Sequence, residues 1–209
     1  TRRQDMLEAL FGMPLFCVAA SLVYVIKDLK ALDADRLHPV KRLKRPLASG
    51  AVSVASARIL LIVLSGLLLA GSFVSIPLVA VLVVYIVLNV FYSAWLKRIP
   101  VVDIFCVAAG FVLRVYAGAV VIDVPLSSWM LVTTLSIALY LAAIKRRDEL
   151  EAQGDGARAV LGQYSVALLD RFALMSSVCA MVFYSLFVVT TRPVLAFTIP
   201  LVLFGIFRY

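Results

Sequence analysis

Histidine occurs once in this 209-residue chain, cysteine three times, and charged residues make up only 15% of it. Each scarcity narrows the chemistry. The single histidine, His38, precedes a proline in a charged loop, a place where it orders the loop more readily than it serves as a base. Cys17, Cys106 and Cys179 stand alone in apolar stretches, with neither metal-site spacing nor a pairing pattern, so they read as packing residues. No Pro/Ser-rich linker or charge boundary divides the chain and no internal repeat is visible, which makes residues 1–209 a single domain. The chain starts at Thr1 and ends at Arg208-Tyr209, and it reads as part of a longer protein, incomplete at both ends.

What the chain has in abundance is apolar surface. Hydrophobic residues are 64% of the total and the mean hydropathy is +1.05. A soluble domain of this size cannot hide that much in one core, so the composition predicts an all-α, polytopic transmembrane bundle. Seven apolar spans have roughly the length of a membrane crossing: Leu10–Ile26, Val52–Phe73, Ile76–Leu96, Val101–Val121, Ser127–Ile144, Ser165–Val189 and a short Val194–Phe207. Barrel strands would be shorter and would alternate. The net charge of +8 fits cytoplasmic loops of a membrane protein, and nothing in it asks for nucleic acid. Residues 27–51, 97–100 and 145–164 are the basic connections and fall on one side, where they can share a site. The 74–75, Ile122–Leu126 and Thr190–Pro193 connections are short or nearly uncharged. Arg2 and Arg3 fall on the other side, against the rule.

The stretch from Lys27 to Gly50 concentrates the chemistry. It reads K-D-L-K-A-L-D-A-D-R-L-H-P-V-K-R-L-K-R-P-L-A-S-G, with Asp28, Asp33 and Asp35 followed by Arg36, Lys41, Arg42, Lys44 and Arg45. Carboxylates hold Mg²⁺ and cations grip phosphate oxygens, so this order suits a magnesium–phosphate substrate at a membrane boundary. If the first helix continues past the membrane, Asp28 and Asp35 lie on one face, about 10 Å apart along the axis. Asp33 points about 140° away and reads as solvated. A solvated helix end with mixed charges is the plain alternative. His38-Pro39 stops the helix sharply, and Arg45-Pro46-Leu47-Ala48-Ser49-Gly50 starts the next span.

The run D-x-x-x-x-x-x-D-R-x-H-P-x-K followed by R-P-L-A-S-G resembles the first signature loop of the UbiA-type intramembrane prenyltransferase superfamily. H-P-x-K, together with G-F-V-L-R-V-x-A-G from Gly110 and K-R-x-x-E from Lys145, resembles its decaprenyl-phosphate phosphoribosyltransferase branch. The resemblance covers essentially the whole chain, and its specific part is the first loop. It implies nine transmembrane helices, with signature loops after the second and sixth on the cytoplasmic side; the seven spans would be helices two to eight. It implies Asp28 and Asp35 as catalytic Mg²⁺ ligands. The superfamily pattern is N-D-x-x-D-x-x-x-D, whereas this chain has Lys27 and Ala31 at its asparagine and middle aspartate. Alanine removes a ligand one turn from Asp28, and the ammonium of Lys27 repels a metal ion. Asp33 is the substitute metal ligand, although its helical phase is unfavourable. The stretch from His38 to Pro46 is one residue longer than the branch leads one to expect.

Further candidates follow from the same resemblance. Lys145, Arg146 and Glu149 form the second charged loop, whose cations suit a ribose 5-phosphate; a basic helix end at the anionic leaflet is the alternative. Tyr92 and Lys97 resemble a tyrosine–lysine pair near the donor diphosphate, or are an interfacial tyrosine and a snorkelling lysine. Arg114 and Asp103 sit inside one apolar span; Arg114 is the cavity candidate, and the two ions could instead pair with each other or with Asn89. Asp170 and Arg171 read as structural. Lys41 and Arg45 complete the substrate-binding set.

The implied activity is Mg²⁺-dependent transfer of 5-phosphoribosyl from phosphoribosyl pyrophosphate to a polyprenyl phosphate lipid, with release of pyrophosphate. The alternatives are transfer of a polyprenyl group from its diphosphate to an aromatic acceptor, a catalytically impaired relative, and a transporter. A transporter would break helices near mid-membrane, whereas Pro77, Pro100, Pro125 and Pro193 sit at span ends. The expected location is a bacterial inner membrane. A homo-oligomer is left open.

Overall fold

Leu, Val, Ile and Ala dominate the spans, and inside lipid such residues leave the backbone no hydrogen-bond partner except itself. The computed structural model describes residues 2–37, 41–71, 75–153 and 160–208, and among these every regular element is helical. In order they are α1 (Arg2–Leu37), α2 (Lys41–Lys44), α3 (Val54–Gly71), α4 (Ile76–Ala94), α5 (Val102–Val121), α6 (Ser128–Gln153), α7 (Val166–Thr191) and α8 (Ile199–Arg208). Short 3₁₀ turns cover Leu96–Arg98, Leu161–Gln163 and Pro193–Thr198. Serines mark several starts. Ser53 Oγ accepts from the Ser56 N–H at 3.0 Å, Ser75 Oγ from Leu78 at 3.4 Å and Ser165 Oγ from Leu168 at 3.2 Å, satisfying donors that a helix N-terminus leaves open.

Five helices are long and apolar enough to cross a membrane: Val54–Gly71, Ile76–Ala94, Val102–Val121, Ser128–Ala152 and Val166–Thr191. These match five of the seven predicted spans, and the protein is an integral membrane protein. The first predicted span lies inside α1, which runs on for 36 residues with Pro14 in its interior. The last is divided between the turn Pro193–Thr198 and α8, Ile199–Arg208. The His38-Pro39 stop lies outside the described residues.

Contacts divide the residues into two units, Thr1–Ser93 with Val120–Asp123, and Ala94–Ala119 with Val124–Tyr209. In the first, α4 buries Leu78, Val81, Leu82 and Tyr85, the i, i+3, i+4, i+7 stripe of one helical face. Phe16 of α1 meets Tyr85 with ring centroids 4.9 Å apart. Gly71 lets α3 come close to α1, because a Cβ there would stand 2.6 Å from Leu15 Cδ2. The faces turned away carry Ile59, Ile62, Leu69, Val83 and Val84, all exposed. An apolar exposed face opposite a packed one suits lipid.

In the second unit α6 and α7 form the main contact. Alanines let them approach: Ala143 of α6 and Ala173 of α7 are buried in one cluster with Tyr140, the small-residue packing that membrane helices use. A second cluster joins Ile104, Ala142, Val160, Leu161, Tyr164 and Leu169. Tyr140 Oη donates to the Ile206 carbonyl at 3.1 Å, and the hydroxyls of Tyr184 and Thr198 lie 2.6 Å apart.

Candidate functional site

The uninterrupted α1 carries Asp28 and Asp35 two turns apart on one face. Beyond α2, the chain turns back through Arg45–Ala51. The Ser49 N–H donates to the Arg45 carbonyl at 2.9 Å and Val52 to Pro46 at 3.1 Å, Leu47 is buried, and Gly50 takes a φ of 82° that favours glycine. This turn delivers Arg45 to the aspartates. Arg45 Nη1 donates to Asp28 Oδ1 at 2.9 Å and to Asp35 Oδ2 at 2.7 Å. One nitrogen therefore marks the point on which two carboxylates converge. Asp35 is buried and Asp28 half-buried. Lys27, the residue before Asp28, donates from Nζ to Asn89 Oδ1 at 3.2 Å and lies 5.6 Å from the Tyr92 ring centroid.

Mg²⁺ usually takes one or two carboxylates from a protein and fills its octahedron with water and substrate phosphate. A pair of carboxylates aimed at one positive point fits that arrangement. It does not fit a cage made of protein ligands alone: no group of three or more His, Cys, Asp or Glu able to hold a metal occurs among the described residues. Asp33 is exposed and is not brought to the pair, as its helical phase requires. Ala31 supplies no oxygen. The Lys41 side chain lies outside the described residues.

The second unit gathers a different cluster. Arg146 Nε donates to Asp103 Oδ2 at 2.7 Å and its Nη1 to Glu149 Oε2 at 3.0 Å. Tyr164 Oη donates to Asp103 Oδ1 at 2.6 Å and accepts from the Val101 N–H at 2.6 Å. Asp103 lies in the first turn of α5, where a helix N-terminus favours negative charge. Val101 has a φ of 67°, a left-handed value that costs a β-branched residue about 1–3 kcal/mol; the bond to Tyr164 holds it there. Burial, and then the hydrogen bond to Asp103, push the Tyr164 hydroxyl well above its usual pKa.

Sequence reasoning assigned Arg146 to substrate phosphate and left Asp103 to pair with Arg114 or Asn89. The structure pairs Asp103 with Arg146 and Tyr164, and Arg146 is buried. Arg114 is exposed, with its guanidinium 5.6 Å from the Phe111 ring centroid. Lys97 and Lys145 are exposed, and Tyr92 is half-buried. Asn89 binds Lys27 instead. An asparagine inside an apolar span was signal enough to single it out. Tyr164 carried no such signal, being one of 8 tyrosines and placed beside a charged loop.

Residues 3–209 match the family model described as the UbiA prenyltransferase family. The chain belongs to this family. Among curated proteins it is similar to the decaprenyl-phosphate phosphoribosyltransferase of Mycolicibacterium smegmatis, 40% identical over 176 residues covering 80% of this chain and 54% of the relative. The protein of the same name from Corynebacterium glutamicum is 32% identical over 190 residues, 88% of this chain and 57% of the relative. Nodulation protein NoeC of Azorhizobium caulinodans is 32% identical over 198 residues, 90% of this chain and 63% of the relative. The chain thus spans a little over half the length of these curated relatives. The Asp28–Asp35 pair falls within the matched residues and lies near the end of α1, in the stretch that carries the family resemblance.

Proposed function

We propose that this chain serves an intramembrane transferase that moves 5-phosphoribosyl from phosphoribosyl pyrophosphate to a polyprenyl phosphate and releases pyrophosphate. The observation that carries this reading is the convergence of Asp28 and Asp35 on Arg45 Nη1, in a family member whose relatives include proteins named decaprenyl-phosphate phosphoribosyltransferase. In the reaction a phosphate oxygen of the lipid attacks C1 of the donor. The bond from C1 to the pyrophosphate oxygen breaks, and its electron pair leaves with pyrophosphate. The attacking oxygen is already anionic, so no general base is required, in keeping with a chain that has one histidine.

The chain's own residues supply positioning and charge. Arg45, held between two carboxylates, presents a fork that matches phosphate oxygens. Asp28 and Asp35 would hold Mg²⁺, which when bound orients the donor and offsets the charge building on the leaving pyrophosphate. Lys41 and Tyr92, in the same unit as the aspartates, are the further phosphate-binding residues of this reading. Arg146 and Glu149 are omitted, because their bonds hold Asp103 and each other. The basic loops face the cytoplasm of a bacterial inner membrane, where a water-soluble phosphorylated donor reaches them.

The test is a radiolabelled-donor assay on purified protein, with and without Mg²⁺. Labelled phosphoribosyl pyrophosphate with polyprenyl phosphate should yield a labelled lipid. The reading fails if the protein ignores that pair and instead joins an allylic diphosphate to 4-hydroxybenzoate.

A further inference from the structure

Lys27, next to Asp28 in sequence, is the residue a metal-binding carboxylate pair should tolerate least, yet the structure holds its ammonium in place. Nζ donates to Asn89 Oδ1 at 3.2 Å. It also lies 5.6 Å from the ring centroid of Tyr92 and 5.9 Å from that of Tyr24, within the range of cation–π attraction. Asn89 is itself oriented: its Nδ2 donates to the Tyr85 carbonyl at 2.9 Å, which turns Oδ1 toward the lysine. An acceptor and two ring faces from α1 and α4 thus fix a charge that a snorkelling lysine would carry off to water.

This ammonium changes what the cluster binds. Asp28 and Asp35 carry two negative charges, and Lys27 and Arg45 carry two positive ones, so the four side chains are neutral together before any metal ion arrives. A bare divalent cation gains little from a neutral cluster. A diphosphate gains more, because ammonium and guanidinium are donors only and aim N–H groups at its oxygens. Relative to the pattern N-D-x-x-D-x-x-x-D, lysine for asparagine and alanine for aspartate together raise the charge by that of one divalent ion.

We propose that Lys27 is a phosphate-binding residue that takes over part of a divalent metal's work, so that this chain holds a diphosphate with less dependence on Mg²⁺ than it would with a neutral residue at position 27. Asn89, Tyr24 and Tyr92 are its positioning residues. This inference rests on reading the Asp28–Asp35 cluster as the diphosphate site.

Calorimetric titration of the full chain in nanodiscs with inorganic pyrophosphate, in EDTA and over a series of Mg²⁺ concentrations, tests it without turnover. The wild type should bind pyrophosphate measurably in EDTA. Lys27→Asn should weaken that metal-free binding about ten-fold or more and change binding at saturating Mg²⁺ much less; Lys27→Arg should keep it. Should Lys27→Asn fail to fold, Asn89→Leu, which releases the ammonium, should shift the ratio of affinities with and without Mg²⁺ in the same direction. An unchanged ratio in the folded variants overturns the inference and leaves the diphosphate site standing. Failure of the wild type to bind pyrophosphate at any Mg²⁺ concentration overturns both.

Discussion

Arg45 is 39% exposed where it meets Asp28 and Asp35; Arg146 is 5% exposed where it meets Asp103, itself at 0%. The bond lengths barely differ, at 2.7–2.9 Å in the first unit and 2.7 Å in the second. What differs is whether the cation can be exchanged. A half-exposed arginine gives up a carboxylate for a phosphate oxygen or a metal ion at small cost, because water screens it on the way. A buried arginine bonded to a fully buried aspartate has no such route, and removing it strands a buried charge. Similar geometry therefore leaves the first cluster open to exchange, as the proposed binding role requires, and fixes the second in the buried interior of its unit.

The sharpest way to break this contrast is to remove a carboxylate from each cluster. Asp28→Ala should abolish turnover, by at least about 100-fold, while the apparent thermal unfolding midpoint in detergent hardly moves. Near-normal transfer activity in this variant would end the assignment. Asp103→Ala should do the opposite. Stranding Arg146 should cost about 3–5 kcal/mol, read as a large drop in the unfolding midpoint or as loss of folded protein. Arg146→Ala should fall in the same range, and the double variant should cost far less than the two added together. Arg146 read from the sequence as a phosphate-binding residue, a role whose loss would weaken donor binding and leave the fold intact. Burial of both partners reverses that expectation.

Tyr164→Phe sharpens the second cluster at a smaller scale. It leaves Asp103 with one partner and frees the Val101 N–H, for about 1–3 kcal/mol. Its pH dependence has a definite sign. The Tyr164 pKa is raised above its ordinary 10.0, so above that pH the folded state keeps a proton that the unfolded state gives up. Stability then falls as pH rises beyond about 10. Unfolding midpoints measured from pH 8 to 11 should decline in the wild type and lose that component of the slope in Tyr164→Phe. An identical slope in both would mean that the hydroxyl is not held as described.

How much of this was legible in the residues depends on range. Hydropathy alone placed the five long spans, because each is a local run. Seven-residue spacing put Asp28 and Asp35 on one face, since helical phase is also local. The same phase counted against Asp33, which was kept only as a substitute ligand. The Asp103–Arg146 pair spans 43 residues and the Lys27–Asn89 bond 62, and no local pattern says which buried ion meets which. Sequence reasoning treated Lys27 as an obstacle to metal for the same reason: its neighbour Asp28 was visible, and its partner on α4 was not.

The smallest effect should come from the ions on the solvent side of α6 and α7, and it separates charge as such from burial. Arg147 pairs with Glu151 at 3.2 Å and with Asp170 at 2.8 Å, distances as good as those inside the clusters. Its side chain is 35% exposed, and those partners are 46% and 52% exposed. Water screens such pairs, and ordering the long side chains offsets much of the Coulomb gain, so each is worth about 0.2–1 kcal/mol. Asp170→Asn should therefore shift the unfolding midpoint only slightly, and raising the salt concentration should shrink even that difference. Set beside Asp103→Ala, the comparison holds bond length nearly constant and varies burial. If Asp170→Asn destabilised the protein as much as Asp103→Ala does, exposure would not be the variable that divides exchangeable ions from fixed ones.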